Sequence, residues 1–146
     1  MLEVVKNNDL TLAIILKRNF NKNGIEFFTP QNYSQQLGYM KRDKNYIIKP
    51  HIHKKITRQV NNTNEVLFLK SGKVRIDFYD ESKKYIESRI LVKGDIILLA
   101  TGGHGFKMLE KSEIIEVKQG PYNSKTDKQI FEKIDETKIK IKNEKL

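Results

Sequence analysis

The sequence predicts an all-β protein, an antiparallel sandwich or small barrel, from three observations. Apolar and polar residues alternate with period two through several short runs, which is the mark of strands with one buried face. Turns rich in Gly and Asn separate those runs at close spacing. No internal repeat of solenoid length is present, and 146 residues suit a single domain around one core. We set the domain at residues 1–123, with its core at 25–123, and treat 124–146 as a charged C-terminal tail.

The elements follow in chain order. Residues 2–6 and 12–17 are apolar runs divided by the turn at Asn7, Asn8 and Asp9; both read as strands, the second equally as a helical turn. The turn at 21–24 leads to a short strand at 25–28, which Pro30 ends. Gly38 argues against a helix over 33–40. Tyr46, Ile47 and Ile48 have β-forming side chains and predict a strand through His53. Residues 54–64 are polar and read as a loop.

The clearest expected hairpin joins 65–70 to 73–79 through Ser71 and Gly72. Its second arm sets Val74, Ile76 and Phe78 against Arg75, Asp77 and Tyr79. Further strands are expected at 85–91, 96–99, 106–109 and 113–119, with a glycine-rich corner at 101–105. In the last strand Ile115 and Val117 alternate with Glu116 and Lys118, and ordinary patterning puts the aliphatic pair inside. Residues 124–146 hold seven lysines and five acids; Ile130 and Ile134 have helical spacing, whereas 138–142 alternates like a strand.

Composition narrows the function. The chain has no cysteine, which removes disulfides and thiolate metal sites. No apolar run reaches 18 residues, so a membrane-spanning helix is not expected. The N-terminal residues carry no signal-peptide pattern, and the chain reads as a cytoplasmic protein. The net charge is +10, but the lysines are scattered and no aromatic-interleaved basic patch or helix-turn-helix pattern is present. Nucleic acid is therefore not expected as a partner, while a small anionic substrate fits the charge.

All three histidines fall between residues 49 and 106. On a strand, Lys49, His51 and His53 share one face. Glu65 opens the next strand, and His104 sits where glycines let the backbone bend. His51, His53, Glu65 and His104 form a set of nitrogen and oxygen donors that suits a divalent metal, Fe, Mn, Ni, Zn or Co. Arg58 and Lys49 are candidates to bind substrate; Tyr39 can cover the cavity mouth, and Phe106 and Met108 can line its wall.

These motifs resemble the two-motif barrel of the cupin superfamily. The first motif is His-x-His followed by a Glu, six residues and a Gly, and here Glu65 is followed by six residues and Gly72. Gly94, Gly102 and His104 fit the outline of the second. The sequence departs from the pattern in placing eleven residues between His53 and Glu65, Ala100 where the family has Pro, and Met108 where it often has Asn. Residues 65–122, especially 102–106 and 116–122, also resemble an uncharacterised cupin group associated with surface-polysaccharide loci.

The resemblance implies a jelly-roll barrel whose His51, His53, Glu65 and His104 hold a divalent metal. It also implies an enzyme acting on a small polar or carbohydrate-derived substrate, as isomerase, epimerase, lyase or dioxygenase. Two alternatives stand beside it. One is a metal-free sugar-nucleotide isomerase or epimerase using His as acid and base; the other is a non-catalytic ligand-binding module. A homodimer is expected, because cupins commonly associate through exposed sheet edges.

Overall fold

The structure is a computed structural model describing residues 1–121, 123 and 127–142. Tyr122 and the tail residues 124–126 and 143–146 lie outside the described residues. Ten strands form: β1 (Leu2–Asn7), β2 (Leu10–Leu16), β3 (Gly24–Phe27), β4 (Gly38–Lys41), β5 (Glu65–Ser71), β6 (Lys73–Tyr79), β7 (Tyr85–Val92), β8 (Ile96–Leu99), β9 (Gly103–Met108) and β10 (Glu113–Lys118). Among the described residues the one helical element is a 3-10 turn at Glu136–Lys138. The all-β reading therefore holds, and every strand pairing is antiparallel.

The strands make a five-stranded sheet in the order β1-β2-β8-β5-β10, a three-stranded sheet β7-β6-β9, and the hairpin β3-β4. Leu67, Leu69, Ile15 and Ile97 of the larger sheet meet Val74, Ile76, Phe78 and Leu91 of the smaller in one core. A fully buried aliphatic side chain of this kind stabilises the fold by about 2 kcal/mol. A second cluster covers part of the larger sheet's other face, where Leu37, Phe28 and Tyr33 pack on Ile14, Leu98 and Ala100. Its strands are thus buried on both faces in the middle, which is why β2 and β8 read as continuous apolar runs.

Two expectations are corrected. β5 and β6 do not form a hairpin: β5 pairs with β8 and β10, and β6 with β7 and β9. Gly72 is a corner at which the chain leaves one sheet for the other. Its φ of +84° and a position where a Cβ would sit 2.3 Å from the Lys111 carbonyl oxygen allow only glycine. Local alternation is the same for a hairpin and a corner, so the signal did not distinguish them. Residues 46–53 are not a strand here. They lie in the exposed stretch 42–63, which carries no regular structure.

Charges finish the ends and edges. Asp95 is fully buried and accepts from the backbone N–H groups of Arg18 (2.9 Å) and Val92 (3.0 Å) and from the Lys17 ammonium, tying β2, β7 and β8 together. At the β1–β7 side, Arg89 lies between Glu87 (2.7 Å) and Glu3 (3.5 Å).

The described tail, 127–142, is neither the helix that its isoleucine spacing suggests nor a full strand. It is a strap over the outer face of the smaller sheet, bridged in parallel at Ser88 and Ile141. Arg75 donates to Asp77 (2.8 Å) and to Glu136 (2.7 Å), and Lys107 reaches Glu136 at 3.0 Å. The expected polar face of β6 is buried for this reason.

Two predictions follow from the packing. Gly72→Ala is expected to cost about 2 kcal/mol, read as a lowered melting temperature. Gly105→Ala, whose added Cβ would meet the Tyr79 ring at 4.0 Å, an ordinary contact, is expected to change little. Equal effects would contradict the corner assignment. The second concerns Glu136, held at about 2 by the Arg75 guanidinium and then by Lys107, against an ordinary 4.5. A depressed carboxylate contributes stability above its unfolded value and loses it as pH falls. Wild type should therefore exceed Glu136→Gln in thermal stability at neutral pH, with the gap closing from pH 4.5 towards pH 2; a gap independent of pH contradicts the strap.

Candidate functional site

The site forms where the core ends. Asn64 fixes the start of β5: its backbone N–H donates to Gln119 Oε1 (2.7 Å) and its Nδ2 to the Ala100 carbonyl (2.9 Å). Glu65 then lies opposite Leu99 on β8 and Lys118 on β10. Because Leu67 and Leu69 point into the core, period two points Glu65 the same way. On the facing sheet His104 lies opposite Phe78, a core residue, and so also points inward. The two meet across the sandwich, with His104 Nε2 3.2 Å from Glu65 Oε2.

Glycine makes this approach possible at the entrance to β9. Gly102 has φ +70°, and a Cβ there would sit 2.4 Å from the Tyr79 carbonyl oxygen. The turn brings His104 up beside Phe106, their rings 5.3 Å apart.

Lys118 faces inward as well, contrary to ordinary patterning. Its ammonium is 2.8 Å from Glu116 and 3.6 Å from Glu65, whereas Ile115 and Val117 are 52% and 58% exposed on the outer face. The physical reason is the register: Lys118 pairs with Glu65 and Glu116 with Leu67, so the charged set shares the face that carries the buried carboxylate. The alternation in the sequence marks two unlike faces without saying which is inside.

These side chains border a cleft of about 710 Å³. Tyr79 and Phe131 supply an aromatic wall, their rings edge to face at 5.0 Å. Thr101, Gln119, Gln129 and Lys133 add polar groups. The tail is thus part of the cleft wall, a contribution that the sequence did not signal. Tyr79 receives a hydrogen bond from the Ile134 N–H (3.0 Å), and burial pushes its phenol up.

Electrostatics follow the contacts. The Glu65 carboxyl is held below its ordinary value, chiefly by the hydrogen bond from His104, against the opposing effect of burial; the charges of His104, Lys118 and Lys128 add to it. Lys118 is pushed up by its hydrogen bond to Glu116. A carboxylate can only accept, so the proton of the Glu65–His104 contact sits on Nε2. That fixes the tautomer and makes Nδ1 the basic nitrogen of the ring.

Of the residues singled out in the sequence, Glu65, His104 and Phe106 come together at the cleft. Met108 follows on β9 and is half exposed. Tyr39, on β4, packs edge-on against Phe20 with centroids 5.0 Å apart. Lys49, His51, His53 and Arg58 are all exposed in the stretch 42–63. His51 and His53 lie with ring centroids 5.1 Å apart, and His51 Nδ1 is 3.0 Å from the Lys49 carbonyl. Among the described residues no group of three or more His, Asp or Glu side chains is gathered as a metal requires. Glu65 and His104 alone do not fit a divalent metal of this kind, which takes three or four protein donors.

Set against models of protein families, curated proteins and solved structures, the chain gives no significant match. Among the described residues no helix is long and apolar enough to cross a membrane.

The coupling of the pair is testable by titration. In His104→Ala the hydrogen bond is lost while burial remains, so the Glu65 carboxyl is expected to titrate at higher pH than in wild type, followed by carbon-13 NMR of the labelled glutamate. An unchanged value contradicts the contact.

Proposed function

We propose that this chain is a small-molecule enzyme of the cupin-like jelly-roll kind, catalysing proton transfer on a polar, carbohydrate-derived substrate. The observation that carries the reading is the Glu65–His104 contact at 3.2 Å inside a roomy cleft. The pairings β10 with β5, β5 with β8 and β9 with β6 support the jelly-roll topology. Aromatic faces beside amides, hydroxyls and lysines suit a sugar, whose C–H faces stack while its hydroxyls and any phosphate take the polar groups.

In this reading His104 Nδ1 removes the proton from the hydroxyl-bearing carbon next to the substrate carbonyl to give an enediolate, the hydroxyl proton passes to the former carbonyl oxygen, and the imidazolium returns the first proton to the former carbonyl carbon, an isomerase cycle. Glu65 orients the ring and stabilises the imidazolium formed after abstraction. Lys118 supplies positive charge on the same wall, favouring the oxygen on which the enolate charge collects. No oxidant or second substrate is needed, because the proton leaves and returns within one molecule.

The test is exchange of substrate C–H hydrogen with D2O across a panel of keto-sugar nucleotides, before and after chelation. Wild type should exchange with chelator present; His104→Asn should lose about 100-fold or more in kcat, and Glu65→Gln about 10-fold or more. Full activity in His104→Asn contradicts the assignment. Activity abolished by chelation and restored by one divalent metal favours the metal-dependent reading with His51, His53, Glu65 and His104 instead. Tight binding of a sugar with no exchange favours a binding module.

A further inference from the structure

We propose that residues 41–60 dock on the surface of an anionic lipid bilayer, their aliphatic side chains entering the acyl boundary while their lysines and arginines meet the headgroups. The charge of this stretch and its exposed apolar side chains point to that partner only when they are taken together.

The charge is local. Residues 41–60 hold seven of the chain's 28 lysines and arginines but only Asp43 of its 18 acids. Elsewhere Lys17 meets Asp95, Arg75 meets Asp77 and Glu136, and Arg89 meets Glu87. Among the described residues no ion pair involves any of the seven. Their charges therefore add, and the summed field attracts an anionic surface.

The apolar side chains are equally unmet. Every residue from 42 to 63 is exposed, with Ile47 at 79% and Ile52 at 93%. Ile48, Ile56 and Val60 are exposed with them. Beyond the turn bond from the Tyr46 N–H to the Asp43 carbonyl, residues 47–63 make no backbone–backbone hydrogen bond with the described residues. Their side chains can thus turn to one side without breaking a ladder.

The hairpin β3–β4 extends the apolar surface. Ile25 pairs with Met40, and Phe27 pairs with Gly38, so Ile25, Phe27 and Met40 share a face. All three are exposed. Arg42 joins the hairpin to the stretch, with its guanidinium beside Gly24 of β3 and 4.7 Å over the Tyr46 ring.

Other partners leave one feature unmet. Nucleic acid takes the cations but offers nothing to isoleucine, and its bases stack on aromatic rings. The stretch has one such ring, Tyr46, and Arg42 already covers it. A second copy brings the same positive stretch against this one. Protein grooves that take basic amphipathic segments read them as helices, and Pro50 with four β-branched isoleucines disfavours a helix here. A bilayer surface meets both features and demands no fixed secondary structure. Ammonium groups stay at headgroup level while their stems and the isoleucines lie in the acyl boundary. The density of charge keeps the stretch on the surface and not across it. The inference does not rest on the proton-transfer reading.

The test sediments the full chain with vesicles of phosphatidylcholine alone and of an equal mixture of phosphatidylcholine and phosphatidylglycerol. Wild type should bind the mixed vesicles, less tightly as salt is raised, and leave the neutral ones in solution. The triple variant Lys54→Gln, Lys55→Gln, Arg58→Gln should weaken binding about 100-fold, and the double variant Ile47→Ser, Ile52→Ser about 10-fold. Both should keep the wild-type melting temperature, because none of the five side chains belongs to either core cluster. The chain has no tryptophan, so Ile52→Trp supplies a single reporter whose emission should move to shorter wavelength on the mixed vesicles. Four results overturn the proposal: no binding to mixed vesicles, binding unchanged in the triple variant, binding unchanged in the double variant, or tighter binding to poly(U) RNA than to mixed vesicles. None of these readouts depends on catalysis.

Discussion

A carboxylate with 7% exposure must find a partner, and the partner of Glu65 comes from the opposite sheet. The site depends on that requirement. Glu65 is the first residue of β5, an interior strand of the larger sheet between β8 and β10, and His104 is the second residue of an edge strand of the smaller. Their contact therefore records how the two sheets sit on one another as well as how the cleft is charged. Leu67, a core side chain beside Glu65, and Phe106, 40% exposed beside His104, flank the pair at the boundary between apolar interior and open cleft. Lys118 joins from β10, so the carboxylate is met by N–H groups from two strands.

The same logic explains the other buried charges. The face of β6 bearing Arg75 and Asp77 would be solvated in an isolated sheet. Here the tail covers it and brings Glu136 to complete the pairing. The tail's placement is charge-directed at its middle and aromatic at its start, where Phe131 lies against Tyr79 and over Gly103. By crossing from the smaller sheet to the cleft wall, it links the stability of the outer face to the shape of the site.

Much of the fold was legible because period-two alternation is local. β6, β8 and the N-terminal pair fall where apolar spacing put them, and Glu65 and His104 were identifiable as the carboxylate and imidazole that strand ends could aim inward. What was not legible is long-range. A glycine between two alternating runs serves a hairpin and a sheet-to-sheet corner equally, and only the partners of β5 and β6 separate them. The inward turn of Lys118 depends on its register with Glu65, which β10 does not encode by itself. Tyr46, Ile47 and Ile48 have the side chains of a strand, yet strand propensity has no effect without an edge to pair with.

The central claim is that Glu65 and His104 interact directly across the two sheets. A double-mutant cycle on unfolding free energy, with Glu65→Gln, His104→Ala and the double variant, isolates that interaction from the burial of either residue. The account predicts a coupling of about 1.5–3 kcal/mol, the range of a hydrogen bond to a charged group. Additive effects, with a coupling within about 0.3 kcal/mol of zero, would contradict it.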